Sequence, residues 1–245
     1  MTPSPILFDY GGTLDTDGRH WANVLYEGFC RSGAEIAEDE FREAYVLAER
    51  ALAKEQIIEN DDDFYTVLQK KTGQEAFHLV MNGFWCPRSA QEFAGTAKSV
   101  AKYCEAYVRR QMQTTCSVLD QFSKQDRPLV LVSNFYGNMH AVLRGYGLDK
   151  YFQNVIESAA VGVRKPNPAI YRLGVEAAGC APEEAIVVGD SFSKDIVPAS
   201  SLGCHTIWLE GEAWNKNETV DRSLPTAIIH HLSELPDAVA KLEQA

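Results

Sequence analysis

The chain has 245 residues, 45% of them hydrophobic, enough for one large or two modest cored domains. Its 34 acidic and 23 basic residues give a formal net charge of −11. That balance argues against a non-specific nucleic-acid binder and requires any anionic ligand to be attracted locally, while no apolar run approaches the roughly 18 residues of a membrane-spanning helix.

The first element is the run Ile6-Leu7-Phe8-Asp9, followed by Tyr10-Gly11-Gly12-Thr13. A short β-rich run that stops at a carboxylate and turns on two glycines predicts a strand whose end lies at the lip of a site. Residues 18–114 then show helical periodicity and almost no strand signal. Helices are expected at 20–31, at 39–56, at 61–71 with Asn60 as cap and an end before Gly73, at 76–85 and at 90–113. The stripe Phe41, Ala44, Tyr45, Ala48, Ala51 and Leu52 marks the buried face of the second. Most aromatic residues of this region are assigned to the bundle core. The acidic run 59–63 fits a helix N-terminus. Arg109-Arg110 reads as a solvated pair at a helix end, or alternatively as a contact for an anionic substrate.

Strand and helix alternate after residue 115. Strands are expected at 5–9, 129–133, 154–158, 185–190, 204–208 and 226–230, with helices at 138–146, 169–178 and 193–201. Gly147 and Gly179 stand where helix C-terminal caps belong. The pattern predicts an α/β fold, a doubly wound parallel sheet, with one core domain from residues 1–17 and 115–245 and an inserted all-helical domain over 18–114. Trp214 and 215–219 read as a surface loop, in which Asn217-Glu218-Thr219 spells a glycosylation acceptor. Cys30, Cys86, Cys104, Cys116, Cys180 and Cys204 form no Cys-x-x-Cys pair, so reduced thiols in a cytoplasmic protein are expected and a zinc site is not. The N-terminus lacks the basic and apolar regions of a signal peptide.

Three later segments join the first. They are Leu129-Val130-Leu131-Val132-Ser133-Asn134, Val163-Arg164-Lys165-Pro166-Asn167-Pro168, and Ala185-Ile186-Val187-Val188-Gly189-Asp190-Ser191 with Asp195 beyond it. Singly, each polar residue has an ordinary reading: Asp9 a turn cap, Ser133 a strand end, Lys165 a solvated lysine, Asp190 a helix cap, Asp195 a first-turn charge. In this order the set resembles the four motifs of the haloacid dehalogenase superfamily of phosphohydrolases, over roughly residues 4–20 and 115–235.

The resemblance implies a Rossmann-like core with a helical cap inserted between the first and second motifs, a lid that excludes water and selects substrate. Asp9 would attack phosphorus and form an aspartyl-phosphate. A carboxylate is already ionised at neutral pH and needs no base, but it needs help against the anionic phosphoryl group. Ser133 and Asn134 would bind phosphoryl oxygens, and Lys165 would supply an ammonium. Pro166 keeps Lys165 out of the α region, so it emerges on a loop. Mg²⁺ would be held by Asp9, the Gly11 carbonyl and Asp190, with Asp195 positioning metal-bound water or Lys165. The implied partner is a small phosphorylated metabolite, and the implied assembly a monomer or homodimer.

One position departs from the family. Most of its phosphatases carry a second aspartate two residues after the nucleophile, where this chain has Gly11. That carboxyl protonates the leaving oxygen, a role worth about 10²–10⁴-fold. Tyr10 points to the other side of the strand and cannot replace it. Three explanations compete. Asp15, Asp17, His20 or a cap residue supplies the proton; the substrate has a good leaving group; or the protein is a weak enzyme or a regulatory phosphate binder. Dehalogenases of the family carry Asp-x-Tyr-Gly-Thr and need no metal, but here Tyr10 stands one place early and Gly189-Asp190 argues for a metal. Family mutases use the second aspartate that this chain lacks.

Overall fold

The computed structural model describes residues 3–214 and 219–244. Except for Thr219, the expected 215–219 loop and its Asn217-Glu218-Thr219 triplet lie outside the described residues. Six parallel strands form one sheet: β1 (Ile6–Phe8), β2 (Leu129–Ser133), β3 (Asn154–Glu157), β4 (Ile186–Gly189), β5 (His205–Leu209) and β6 (Ala227–Ile229). Their order is β3-β2-β1-β4-β5-β6. Ile6 pairs in register with Leu129 on one side and Ile186 on the other. The chain first winds outward from β1 to β3, then crosses back to β4 beside β1. The winding reverses between β1 and β4, and open α/β sheets bind ligands outside the strand ends at such a point.

β1, β2 and β4 are buried along their whole lengths, as expected of parallel strands covered on both faces. Four of the core helices follow β2, β3 and β4: α5 (Met139–Tyr146), α6 (Ser158–Val161), α7 (Ala169–Ala178) and α8 (Val197–Ser201). The last, α9 (Leu235–Leu242), follows β6. On one face Leu7, Val130, Val132 and Val187 pack with Ile170, Tyr171 and Val175. Helix α7 approaches so closely that a Cβ on Gly174 would lie 2.8 Å from Leu7 and 2.9 Å from Val132. The 193–201 helix is instead a π-helical turn over Phe192–Ile196 leading into α8.

Between β1 and β2 stand α1 (Trp21–Arg31), α2 (Glu38–Lys54), α3 (Phe64–Met81) and α4 (Ala90–Ser123). The expected break at Gly73 does not occur. A glycine costs a helix only about 1 kcal/mol, and Leu68, Thr72, Glu75, Ala76 and Leu79 bury the face that holds α3 together. Asp63, not Asn60, caps it, accepting the Thr66 N–H at 2.8 Å. Helix α4 runs ten residues past the expected end at 113 and passes the expected boundary at 114 without interruption. Val118, Leu119 and Phe122 continue its buried stripe into the core, and Thr115 Oγ1 donates to the Leu14 carbonyl at 2.7 Å. Phe77 is an exception to the buried aromatics, being exposed. Arg109 pairs with Glu105 at the surface of α4. Among the described residues no helix is long and apolar enough to cross a membrane.

The helical layer encloses a charged group that the sequence did not announce. Lys71 is buried, bonded to Glu49, and lies 5.0 Å from the centre of the Tyr45 ring. Glu75 lies fully buried nearby with both carboxyl oxygens unbonded, and burial pushes its pKa up to about 8, partly offset by Lys71. The folded chain therefore keeps a proton that the unfolded chain releases above 4.5, so stability falls as pH rises from there to about 8. In urea unfolding at about pH 5 and about pH 8, Glu75→Gln is expected to shrink the stability difference between the two by about 1–3 kcal/mol.

Candidate active site

The site is assembled at the switch point. Asp9 directly follows β1, and its N–H donates to the Val188 carbonyl at 2.9 Å, continuing the ladder one residue. The chain then coils tightly: the Leu14 N–H bonds to the Tyr10 carbonyl at 2.9 Å, and the Gly18 N–H to the Gly12 carbonyl at 2.7 Å. Gly12 adopts φ +103°, and a Cβ there would fall within 2.5 Å of the Asp190 carboxylate. Only glycine satisfies both demands.

Lys165 reaches in from the loop before α7. Its Nζ lies 2.5 Å from Asp9 Oδ1 and 2.8 Å from Asp195 Oδ1, and all three residues are buried. Asp195 also accepts the Tyr171 hydroxyl at 2.7 Å and the Ser191 N–H at 3.0 Å. Thr13 Oγ1 sits 3.1 Å from both Asp9 Oδ2 and Asp190 Oδ1, and accepts the Asp190 N–H at 3.0 Å. Carboxylate oxygens of Asp9, Asp190 and Asp195 all come within 4.8 Å of one another.

Three carboxyls thus share one ammonium. Burial raises the Asp9 pKa against the pull of Lys165. Burial, then the charges of Asp9 and Asp195, push Asp190 well above the usual carboxylate range. Burial also disfavours charge on Lys165, but Asp195 and Asp9 outweigh it and raise its pKa. The surplus is negative, and the donors are all oxygen. A hard divalent cation fits that set, and Asp195, which already accepts from Lys165, Tyr171 and Ser191, is the most heavily engaged of the three carboxylates.

Asp9, Gly11, Ser133, Asn134, Lys165, Asp190 and Asp195 all line one cavity of about 1710 Å³. Asn134 carries a role that its sequence position did not reveal. Its Oδ1 accepts the Lys165 N–H at 2.9 Å and its Nδ2 donates to the Lys165 carbonyl at 3.1 Å. The side chain assigned to phosphate contact is engaged in fixing the loop that carries the lysine. Ser133, at the buried end of β2, keeps its place in the cavity lining.

Of the candidates to replace the missing acid at position 11, the three that follow Asp9 in the chain are each engaged elsewhere. His20 caps α1, its Nδ1 accepting the Ala22 N–H at 3.2 Å, and its ring packs on Trp214 and Tyr45. Burial, helped by Lys194, Lys71 and Arg42, pushes its pKa down to about 3, so it carries no acidic proton near neutrality. Asp17 turns away, accepting the Leu232 N–H at 2.6 Å and meeting His231. Asp15 is fully buried, with its oxygens accepting the Gly12 N–H at 2.7 Å and the Trp21 indole N–H at 2.9 Å. Trp214, expected on a surface loop, instead packs on His20 and Tyr45 with the Arg42 guanidinium 4.6 Å from its ring centre. Neither Thr13, Tyr171 nor Trp214 carried a sequence signal, since each acts through a contact made by the fold.

A profile of haloacid dehalogenase-like hydrolases matches residues 6–203. The chain belongs to the haloacid dehalogenase-like hydrolase family. Within this family it is 34% identical over 97 residues to a glyceraldehyde 3-phosphate phosphatase of Pyrococcus furiosus, covering 40% of this chain and 39% of that one. It is 32% identical over 130 residues to a phosphoserine phosphatase of Thermus thermophilus, covering 50% and 52%. The chain thus spans about half or less of these relatives' length. The crystal structure of a haloacid dehalogenase phosphatase from Thermococcus onnurineus shares the fold, with a TM-score of 0.53 and 23% identity over 96% of this chain and 97% of that chain.

The close fit of Gly12 against Asp190 makes the first-motif turn a sensitive point of this hydrolase. Gly12→Ala is expected to lower stability by about 1–3 kcal/mol, measured by thermal unfolding.

Proposed function

We propose that this hydrolase is a Mg²⁺-dependent phosphatase of small phosphorylated metabolites, working through an aspartyl-phosphate at Asp9. The observation that carries the reading is the shared hollow: nucleophile, ammonium and metal-binding carboxylate stand within one hydrogen-bonded group. In the first step an Asp9 oxygen bonds to phosphorus while the bond to the leaving oxygen breaks. Water then attacks phosphorus, restoring Asp9 and releasing inorganic phosphate. Lys165 and the Ser133 hydroxyl face the charge that grows on the phosphoryl oxygens. Asp195 and Asn134 hold Lys165 in place through its ammonium and its backbone. Asp9, Asp190 and the Gly11 carbonyl would hold Mg²⁺, which would supply electrostatic stabilisation of the same charge. In this reading the helical stretch 18–114 serves as the cap over the hollow, and the curated relatives named for phosphatase activity support the substrate class. Six unpaired cysteines support a cytoplasmic setting.

The reading fails if Asp9→Asn leaves Mg²⁺-dependent hydrolysis of an aryl phosphate unchanged. A loss of at least about 10³-fold is expected.

With His20, Asp15 and Asp17 engaged elsewhere, the reading adopted is a substrate with a good leaving group, which departs without a proton. Rates should therefore rise steeply with leaving-group acidity, acyl and aryl phosphates running far ahead of alkyl esters. A Cβ on Gly11 would meet Trp21 at an ordinary 3.9 Å, so position 11 accepts a Cβ without a clash. Gly11→Asp is expected to accelerate alkyl phosphate hydrolysis by about 10²-fold or more and flatten the leaving-group dependence. A flat dependence in the parent would show that another residue donates the proton. Gly11 also supports a second reading, a phosphate-binding regulatory protein. Turnover at background across all ester classes, with Mg²⁺ and phosphate still bound, would favour it.

A further inference from the structure

We propose that Trp21 is a specificity-determining residue, the wall of the hollow on the leaving-group side, selecting phosphate esters of flat aromatic alcohols. The inference rests on the phosphatase reading and extends it to the shape of the substrate. Position 11 lies two residues beyond Asp9, and the phosphatase reading sets the leaving group beside it. The space that a side chain there would enter ends on the pyrrole edge of Trp21, whose Cδ1 and Nε1 both lie 3.9 Å from the Cβ position. The group departing from phosphorus therefore lies alongside an indole rather than beside a carboxyl.

The indole is fixed. Its Nε1–H donates to Asp15 Oδ2 at 2.9 Å, and Asp15 is itself anchored by the Gly12 N–H. Its ring meets Phe64 edge-on at 5.6 Å, and Phe64 is braced by Tyr10 at 6.1 Å and Tyr146 at 5.8 Å. Because the N–H is spent on Asp15, Trp21 offers the cavity an aromatic surface, not a donor. Phe64, which meets the indole, also borders the cavity from α3. Two separate features then agree on one chemical class. Phenolic oxygens depart as anions without an acid, and phenolic rings are flat and apolar enough to pack against Trp21.

The experiment uses the full chain with Mg²⁺. It measures kcat and KM on phenyl and 1-naphthyl phosphate, esters of similar leaving-group acidity that differ in flat area. It also measures the binding of phenylphosphonate and methylphosphonate by calorimetry. The parent is expected to prefer naphthyl over phenyl by about three- to tenfold, expressed in KM, and phenylphosphonate over methylphosphonate by a similar factor. Trp21→Ala should erase both preferences, and Trp21→Phe should keep the larger part of them. Preferences that are absent in the parent, or that survive Trp21→Ala, overturn the inference. If Trp21→Ala no longer binds methylphosphonate, its site has collapsed, and the parent against Trp21→Phe decides. Hydrolysis of phenyl phosphate undiminished in Asp9→Asn overturns the phosphatase reading alone, and the phosphonate preferences still judge Trp21.

Discussion

The arrangement depends on the Lys165 ammonium held between Asp9 and Asp195 in a water-poor pocket. A buried lysine is costly unless it is paired and its protons are bonded. Here the pairing comes from three separate stretches of chain: the end of β1, the loop before α7 and the π-helical turn after β4. Each needs its own support. Asn134 grips the Lys165 backbone, Tyr171 and the Ser191 N–H complete Asp195, and Thr13 ties Asp9 to Asp190. The sheet's strand order brings these stretches together, so topology and electrostatics are one constraint at this point. The pairing also leaves the group with more negative than positive charge, which makes a divalent cation its natural completion.

Much of the core was legible because buried parallel strands are written as continuous apolar runs. Leu129–Ser133 and Ala169–Ala178 were readable to the residue, and the polar residues that end the strands mark the site. What failed was whatever depends on a distant partner. Gly73 looks like a stop in isolation, but the face that α3 buries overrides it. Trp214 looks like loop until the His20 and Tyr45 rings are brought beneath it. Asn134, adjacent to Ser133, invites a shared role, yet its amide is turned to a loop thirty-one residues away.

The acid position shows how a single substitution is absorbed. His20 has the ordinary pKa for proton transfer, but burial among cations removes its proton. Asp15 has its pKa raised to about 7 by burial, yet both of its oxygens are spent on holding Gly12 and Trp21. The chain between residues 9 and 21 sets the Trp21 indole beside position 11 and fixes it through Asp15.

Helix α4 carries a mechanical consequence. At about 1.5 Å per residue, its 34 residues form a strut about 50 Å long that is continuous from the helical layer into the packing beneath the sheet. The other connection is the coil after Asp9, pinned where Asp17 meets His231 and the Leu232 N–H. Swinging the upper layer as a rigid door would require the strut to flex, because no loop lies at that side to act as a pivot. Any tilt of the upper layer must then be taken up by residues 10–20, the stretch that leads directly out of Asp9, so that layer and the end of β1 are joined by a single stiff lever.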